Sequence, residues 1–336
     1  MISDEFRRKL LEKDPFGDIV GQEIAKMQMQ SALLMERHVL IIGPPGIGKT
    51  TLAKNVAKLL PSLKVNSCGY NCLPSKPVCP SCVLAKAHET MVIRGAERFV
   101  RVQGSPDLTV EDLLGDIDPM KAMKFGAMSL EAFTPGKIFR ANNGVLFFDE
   151  LNRCPEKLQN AMLQVLEEKR LTIAGYELDF DLDFVFVGTM NPEDSSTEPL
   201  SDVFLDRFDV VYMGYPESED VERVIVESKG KHIVEFPDSL LRSTLAFVRF
   251  LRNSEKLEKK PSVRASLGLY ERAQANALLE RRHKVVFEDI ERAVVSVLSH
   301  RIRLKPSVKY LTTAEDFVRE QFARFSSGSS EEGDVP

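Results

Sequence analysis

The stretch RHVLIIGPPGIGKTTLAKNVAKLL, residues 37 to 60, decides the fold. Its apolar run Val39 to Ile42 is typical of a buried parallel strand, and from Lys49 onward apolar side chains recur at helical spacing. Between them, GPPGIGKT matches the phosphate-binding loop pattern at every required position. The motif therefore lies between a predicted strand and a predicted helix, where phosphate binding requires it.

Each part of this loop has an expected role. Glycines let backbone N–H groups approach phosphate oxygens, and the N-terminus of the following helix adds partial positive charge. Lys49 is expected to reach the β- and γ-phosphates of ATP, and Thr50 to bind Mg²⁺. Upstream, Val20 and Gly21 precede another predicted helix, and we expect that segment to cover the adenine. The predicted loop contacts to the nucleotide are Gly43, Pro44, Pro45, Gly46, Ile47, Gly48, Lys49, Thr50 and Thr51.

A second apolar run, Val145 to Phe148, ends in the acidic pair Asp149 and Glu150. Ligands of open α/β sheets bind at the carboxyl ends of the strands. We therefore predict that Asp149 holds Mg²⁺ through water and that Glu150 polarises the water that attacks the γ-phosphate. A third run, Phe184 to Val187, leads to Asn191, whose amide is suited to hydrogen-bond that water or the γ-phosphate.

The segments GQE, GPPGIGKTT, LFFDELNR, GTMNPED, FLDRFD and KKPSVRA, in this order, resemble AAA+ ATPases of the MoxR and magnesium chelatase I-subunit group. The resemblance covers most of the chain. It implies that Asn191 is the polar sensor, Arg207 a finger that enters a neighbouring subunit's site, and Arg264 the second sensor arginine. Arg153 matches the arginine that follows the acidic motif in MoxR-like members. A finger given in trans implies a homo-oligomer, a hexameric ring by family analogy.

The fold expected from this resemblance is an α/β P-loop AAA+ sandwich with a five-stranded parallel sheet, plus a small all-helical lid domain. The predicted nucleotide-binding domain covers 14–214, with a four-cysteine insertion at 66–84 and a helix-2 insertion at about 105–140. The predicted lid covers 215–325. The polar residues 326–336 are predicted to be disordered.

The branch of the family governs the expected function. PEKLQNAMLQVLEEKRLTIAGYELDF, with a predicted hairpin around Ala174 and Gly175, resembles MoxR proteins, whereas GTMNPED and the helix-2 insertion resemble the chelatase I subunit. The main prediction is an ATP-driven ring that remodels a client protein complex, often with a von Willebrand A domain partner. The alternative is the motor of a magnesium chelatase, which inserts Mg²⁺ into protoporphyrin. DNA translocation has the least support, because the insertion offers only Lys121, Lys124 and Lys137 as basic pore residues.

The predicted helix-2 insertion is rich in methionine and phenylalanine. Such side chains are apolar and adaptable, so they suit either a grip on a client in the centre of a ring or packing against the domain itself. The sequence leaves both interpretations open for Met120, Met123, Phe125, Met128 and Phe133.

Four of the five cysteines, Cys68, Cys72, Cys79 and Cys82, fall within fifteen residues as C-x₃-C-x₆-C-x₂-C. Four thiolates suit tetrahedral Zn²⁺, and a full set of protein ligands predicts a structural rather than a catalytic ion. An iron–sulfur cluster, disulfides or free thiols remain alternatives. We expect Cys154 to be a small buried apolar residue.

Composition limits the remaining possibilities. The chain has 336 residues, of which 43% are hydrophobic and 28% charged, and its net charge of −5 gives no sign of a nucleic-acid partner. The N-terminal segment lacks the apolar core of a signal peptide, and no apolar run approaches the roughly 18 residues that span a bilayer. We therefore predict a cytoplasmic protein, in which thiols stay reduced.

Overall fold

The computed structural model describes residues 3–85, 88–126, 128–173, 178–192 and 200–331, apart from the side chains of residues 178 and 328–331. The strands are β1 His38–Ile42, β2 Leu63–Asn66, β3 Thr90–Ile93, β4 Phe99–Gln103, β5 Gly115–Ile117, β6 Phe133–Pro135, β7 Val145–Asp149, β8 Arg170–Ile173, β9 Leu178–Asp181, β10 Val185–Met190, β11 Phe208–Tyr212, β12 Leu257–Lys259 and β13 Arg303–Leu304. The helices are α1 Asp4–Leu10, α2 Glu23–Leu34, α3 Lys49–Leu59, α4 Pro80–Leu84, α5 Val110–Leu114, α6 Pro119–Phe125, α7 Lys137–Arg140, α8 Glu156–Glu168, α9 Asp202–Leu205, α10 Glu219–Lys229, α11 Asp238–Asn253, α12 Val263–Leu279, α13 Phe287–Leu298, α14 Pro306–Lys309 and α15 Ala314–Glu331.

The chain divides into two compact units. The first comprises Met1–Ile19, Glu23–Gly43 and Gly48–Met213, and the second Val20–Gln22, Pro44–Ile47 and Gly214–Pro336.

The first unit is built on a five-stranded sheet in the order β11-β1-β10-β7-β4, and every neighbouring pair is parallel. The predicted five-stranded parallel sheet is therefore confirmed. The three apolar runs of the sequence form the central strands β1, β7 and β10, which are buried on both faces. The helix after the phosphate loop, α3, buries Leu52, Val56 and Leu59 along one side.

His38, the first residue of β1, is a half-buried polar group with a defined protonation state. Its Nδ1 accepts a hydrogen bond from the Phe186 N–H at 3.2 Å, and its Nε2 lies 3.1 Å from the Leu166 carbonyl oxygen. One nitrogen must accept and the other must donate, so the ring is neutral with the proton on Nε2. Burial lowers the pKa of His38 from 6.5 to about 4.

The insertion between the second and third strands of the main sheet is a small antiparallel pair, β5 with β6, that carries α6 between its strands. Phe133 is buried and stacks on Phe180 at 4.8 Å. The other four methionine and phenylalanine residues singled out from the sequence are exposed: Met120 77%, Met123 86%, Phe125 48% and Met128 63%. Phe133 thus packs on the domain, whereas those four leave an apolar surface uncovered within the described chain.

Helix α8 leads into the hairpin β8–β9 through Lys169, which has a positive φ of 53°. The predicted tip of this hairpin, Ala174 and Gly175, lies outside the described residues. None of the helices in the described part of the chain combines the length and apolar character needed to cross a membrane.

The second unit consists mainly of helices α10 to α15, and the predicted helical lid is confirmed. It also contains a short antiparallel pair, β12 with β13, so the lid is not wholly helical. The predicted disorder from residue 326 was wrong for 326–331, because α15 continues to Glu331. The Ser326 hydroxyl donates to the Phe322 carbonyl at 3.0 Å, and the Ser327 hydroxyl donates to the Ala323 carbonyl at 2.9 Å. Serine hydroxyls bonded in this way remain compatible with a helix. Residues 332–336 lie outside the described chain.

Candidate active site

The phosphate loop follows β1, and its lysine lies across the ends of two strands. The Lys49 ammonium donates to the Gly43 carbonyl and to the Met190 carbonyl, the latter at 3.4 Å. The Gly43 N–H in turn donates to the Met190 carbonyl at 3.2 Å. Gly48 has φ +102°, which residues with a Cβ rarely adopt, and α3 begins at the next residue. Thr50 and Thr51 follow in the first turn of that helix, half-buried.

The acidic pair lies at the end of β7. Asp149 is the last residue of the strand, and Glu150 follows with φ +55°. Both are connected to β10 through Thr189, which is buried. The Thr189 hydroxyl donates to Asp149 Oδ1 at 2.7 Å and accepts from the Glu150 N–H at 3.0 Å. Thr189 immediately precedes Met190, so adjacent residues of β10 contact the acids and the loop lysine.

Polar side chains of β4 contact the same acids, and the sequence analysis missed them. Arg101 Nη2 lies 2.6 Å from Asp149 Oδ2, and Gln103 Nε2 donates to Glu150 Oε2 at 2.9 Å. The distance from Nη1 of Arg153, a residue predicted from the sequence, to Glu150 Oε2 is 3.2 Å. The sequence signal that could have revealed Arg101 and Gln103 is the alternation of apolar and polar residues in FVRVQ, which is typical of a strand. This stretch contains too few apolar residues to be recognised as a buried strand.

Two other predicted residues lie in the first unit. Asn191 directly follows β10 and is half-buried; the GTMNPED residues 193 and 194 lie outside the described chain. Arg207 lies between α9 and β11, and its guanidinium pairs with Glu167 of α8 at 2.9 Å and with Asp206 at 3.3 Å. The structure thus places Arg207 in an ion pair of its own chain.

Val20, Gly21 and the loop residues Pro44–Ile47 group with the second unit, as does Arg264. Gly21 has φ +68° and Gly46 φ +77°. A Cβ added at Gly46 would lie 2.7 Å from Ser262 Oγ and 3.1 Å from Arg264 Cγ. Glycine is therefore required at position 46 both by its backbone conformation and by the close approach of Ser262.

The residues present fit a nucleotide and a divalent ion. The positive-φ glycines of the phosphate loop let backbone N–H groups approach phosphate. The Lys49 ammonium lies at the end of β1, the strand that precedes this loop. The Thr50 hydroxyl and Asp149 carboxylate are hard oxygen donors of the kind that Mg²⁺ prefers.

The four clustered cysteines lie in the segment between β2 and β3, with Cys82 in the short helix α4, and all are free thiols. This segment is called the cysteine loop below. Their sulfur atoms lie within 4.8 Å of one another, and Cys72, Cys79 and Cys82 are buried. A hydrogen bond with Cys79 lowers the pKa of Cys72 to about 5, and burial raises the pKa of Cys82 to about 11. Cys154 is buried elsewhere in the apolar core, as expected, and burial raises its pKa to about 12.

Comparisons with known families identify the class. The model of the ATPase family associated with various cellular activities (AAA) matches residues 79–210, and the AAA lid domain matches 249–321. The model of magnesium chelatase subunit ChlI matches 15–69, which contains the phosphate loop.

Individual relatives cover nearly the whole chain. A magnesium-chelatase subunit ChlI homolog of Methanocaldococcus jannaschii is 27% identical over 87% of this chain and 86% of its own length. The chaperone MoxR1 of Mycobacterium tuberculosis is 27% identical over 85% of this chain and 73% of its own. A cryo-EM-based structure of the complex between subunits BchI and BchD of magnesium chelatase is 25% identical, with 88% of this chain and 98% of that chain covered and a TM-score of 0.51.

The parallel sheet, the phosphate loop and the acidic pair at its carboxyl edge define a P-loop nucleotide-binding protein. Within that class, the chain belongs to the AAA+ ATPases, in the group that contains MoxR and the magnesium chelatase I subunit.

Proposed function

We propose that this chain hydrolyses ATP in a Mg²⁺-dependent reaction. The observation that carries the proposal is the connection made by β10. Its residue Met190 contacts Lys49, and the preceding Thr189 contacts both Asp149 and Glu150. A phosphate-binding cation and the two acids that hydrolysis needs are thereby joined through two adjacent residues.

The proposed roles follow from position and charge. The backbone of Gly43 to Thr51 binds the phosphates, and Thr50 and Asp149 supply the oxygen donors for Mg²⁺, which neutralises phosphate charge when bound. Glu150 accepts a proton from the attacking water, and its bond to Gln103 holds the carboxylate in place.

The remaining predicted residues act on the attacking water, the γ-phosphate and the adenine ring. Asn191 orients the attacking water, and Val20 with Gly21 covers the adenine. Arg153 and Arg264 add positive charge where negative charge develops on the γ-phosphoryl group.

Paired substitutions test the activity. Lys49→Ala should abolish binding of a fluorescently labelled nucleotide, which is the appropriate probe because the chain contains no tryptophan. Glu150→Gln should retain binding and stop phosphate release. Lys54→Ala, an exposed residue of the same helix, and Glu156→Gln, an exposed residue of α8, are the matched controls and should behave as wild type. Normal turnover in Glu150→Gln would refute the assigned base.

We further propose that the active form is a homo-oligomeric ring, with six subunits by family analogy, in which Arg207 exchanges its pairing with Glu167 for a neighbour's γ-phosphate. A cation of this kind contributes about 10³ to 10⁵ in rate in characterised cases. Arg207→Ala should be inactive alone, and a mixture with Glu150→Gln should recover activity, because mixed rings contain intact composite sites. Absence of recovery in rings shown to mix would contradict a finger in trans.

The proposed work of the ring is remodelling of a client protein complex, with a von Willebrand A domain protein as partner. The four exposed apolar side chains of the insertion support this role, because they offer a surface for a client. The alternative, the I-subunit motor of a magnesium chelatase, is supported by similarity to the chelatase relatives and to the BchI–BchD structure.

The two roles differ in what the ATP-bound protein retains. Glu150→Gln protein loaded with ATP in its native extract should bind a von Willebrand A protein with its clients, and no tetrapyrrole. A second variant with Met120→Ser and Met123→Ser should lose the client while it keeps ATPase activity. Recovery of a large porphyrin-binding subunit would instead establish the chelatase role, and a nuclease-sensitive complex would indicate DNA.

Zinc takes no part in this proposed reaction, because the four cysteines are not among the proposed nucleotide-site residues. The cytoplasmic location expected from the sequence stays a prediction.

A further inference from the structure

The loop between β2 and β3 brings four thiols together without a disulfide. All four sulfur atoms lie within 4.8 Å of one another, although the cysteines span fifteen residues of a loop rich in proline and glycine. Short loops cluster four soft ligands in this way when a metal ion holds them. The ATPase chemistry uses none of these groups, so the cluster needs an explanation of its own.

We propose that Cys68, Cys72, Cys79 and Cys82 bind one Zn²⁺ ion, and that the ion braces the segments that lead to the helix-2 insertion and to β7. A tetrahedral ion with metal–sulfur bonds of about 2.3 Å separates its sulfurs by about 3.8 Å, which the observed cluster accommodates. An iron–sulfur cluster places iron and sulfide atoms between the thiolates and so needs wider sulfur separations.

Backbone and amide N–H groups point at the sulfurs. The N–H groups of Val78 and Cys79 both donate to Cys72 Sγ at 3.4 Å, and the Asn66 amide donates to Cys82 Sγ at 3.4 Å. Cys68 Sγ accepts from the N–H of Tyr70 at 3.4 Å. Such bonds stabilise thiolate charge, and outer partners of this kind orient the ligands of metal sites.

The cysteine loop is tied to the turn that precedes β7. The Asn71 amide donates to the Arg140 carbonyl at 2.8 Å, and the Asn143 amide donates to the Asn71 carbonyl at 3.0 Å. The Tyr70 ring meets Phe139 edge-on at 6.4 Å. Residues 140–143 connect the insertion to β7, the strand that ends in the acidic pair, so the ion is joined to both through few bonds.

Helix α7, which leads into this turn, joins the rest of the insertion to the hairpin β8–β9. Phe139 lies 5.5 Å from Phe133 of the insertion and 5.0 Å from Phe180 of the hairpin. Lys76 of the cysteine loop pairs with Asp181 at 3.0 Å. Loss of the ion removes the main constraint on the cysteine loop. Tyr70 of that loop then no longer supports Phe139, and the aromatic contact between Phe139 and Phe133 that anchors the insertion is weakened.

Metal content tests the site. Full-length protein purified without added metal should contain about one zinc per chain by elemental analysis. A mercurial thiol reagent should release it, as followed with a chromogenic zinc indicator. Cys72→Ser should lose the ion, whereas Cys154→Ser, a change at the one buried cysteine outside the cluster, should retain it. Iron in place of zinc, or folded wild-type protein free of metal, would overturn the assignment.

Hydrogen exchange tests the brace independently of ATPase activity. Removal of zinc should cause loss of amide protection in β5, β6 and residues 140–143, with α12 of the second unit unchanged as the internal control. Asn71→Ala should keep its zinc and still lose protection at 140–143, which distinguishes the brace from general unfolding of a metal-free chain. Full protection in both samples would refute the bracing role.

Discussion

Glu222 of α10 carries a charge that is completely buried in the helical unit. Its carboxylate accepts hydrogen bonds from both terminal nitrogens of Arg252 in α11, at 2.5 and 2.6 Å, and from the hydroxyl of Ser266 in α12. Arg249 also approaches it at 3.6 Å. Three helices thus meet at one carboxylate, and Arg252 Nε also donates to the Pro261 carbonyl at 2.7 Å, two residues before α12 begins.

Glu222→Gln replaces one carboxylate oxygen by an NH₂ group that must face a guanidinium N–H, donor against donor. Arg252, only 5% exposed, then keeps its charge without a counter-charge of equal strength. Breaking a buried pair from one side costs about 3 to 5 kcal/mol. Arg252 retains the Pro261 carbonyl and the Tyr215 ring, 5.1 Å away, so we expect the lower end, about 3 kcal/mol.

Calorimetry of the full chain measures this cost as a shift in the unfolding transition of the helical unit. At about 4 °C per kcal/mol, the transition should fall by roughly 12 °C. Glu280→Gln is the matched control: it removes the partner of Arg292 in an exposed ion pair and should change the transition little. Glu222→Met with Arg252→Met should recover much of the loss, because no buried charge remains. A shift in Glu222→Gln no larger than in the control would refute the reasoning.

Two further predictions concern the first unit. Thr189→Val removes the hydroxyl that bonds Asp149 and Glu150, so half-maximal ATPase activity should require about tenfold more Mg²⁺. Thr189→Ser should restore the wild-type requirement, and unchanged Mg²⁺ dependence in the valine variant would contradict the positioning role. Because the folded state holds His38 neutral, protonation favours the unfolded chain, and the stability that His38 contributes is lost as pH falls from 6.5 to about 4. Urea titrations should show this loss, roughly 3 kcal/mol, in wild type and not in His38→Gln; parallel pH profiles would refute it.

The central part of the fold could be predicted because buried parallel strands are written as continuous apolar runs. β1 and β7 match the predicted runs to within one residue at each end, and β10 starts one residue later and ends three residues later than its predicted run. The chemistry-bearing residues lie at or just beyond the carboxyl ends of these strands. The loop lysine and the acidic pair were therefore found directly from the sequence, as residues that must meet at the carboxyl edge of a sheet.

The edge strand β4 escaped prediction for a physical reason. An edge strand has one free side, so it can carry polar side chains, and FVRVQ places Arg101 and Gln103 among only three apolar residues. The contacts of these side chains to the acids depend on strand pairing at long range. No local pattern in the sequence specifies which residue of β4 lies beside Asp149.

The roles of Arg207 and Arg264 came only through resemblance to the family. An arginine after a short helix is ordinary in any sequence, and the ion pair of Arg207 with Glu167 is what a surface arginine usually makes. What distinguishes a trans-acting arginine is a neighbouring subunit, which a single chain does not contain. The mixed-ring experiment therefore carries more weight for Arg207 than any contact within this chain.

The register of the sheet explains how residues from separate segments of the sequence become neighbours in the site. Gln103 is paired with Asp149, Phe148 with Gly188, and Ile42 with Met190. Parallel strands in this register end at one level, so residues just beyond the apolar runs become neighbours. A one-residue slip of β10 against β7 would turn Thr189 to the opposite face and separate it from both acids. The site thus depends on register as much as on residue identity, and the buried apolar faces of the central strands fix that register.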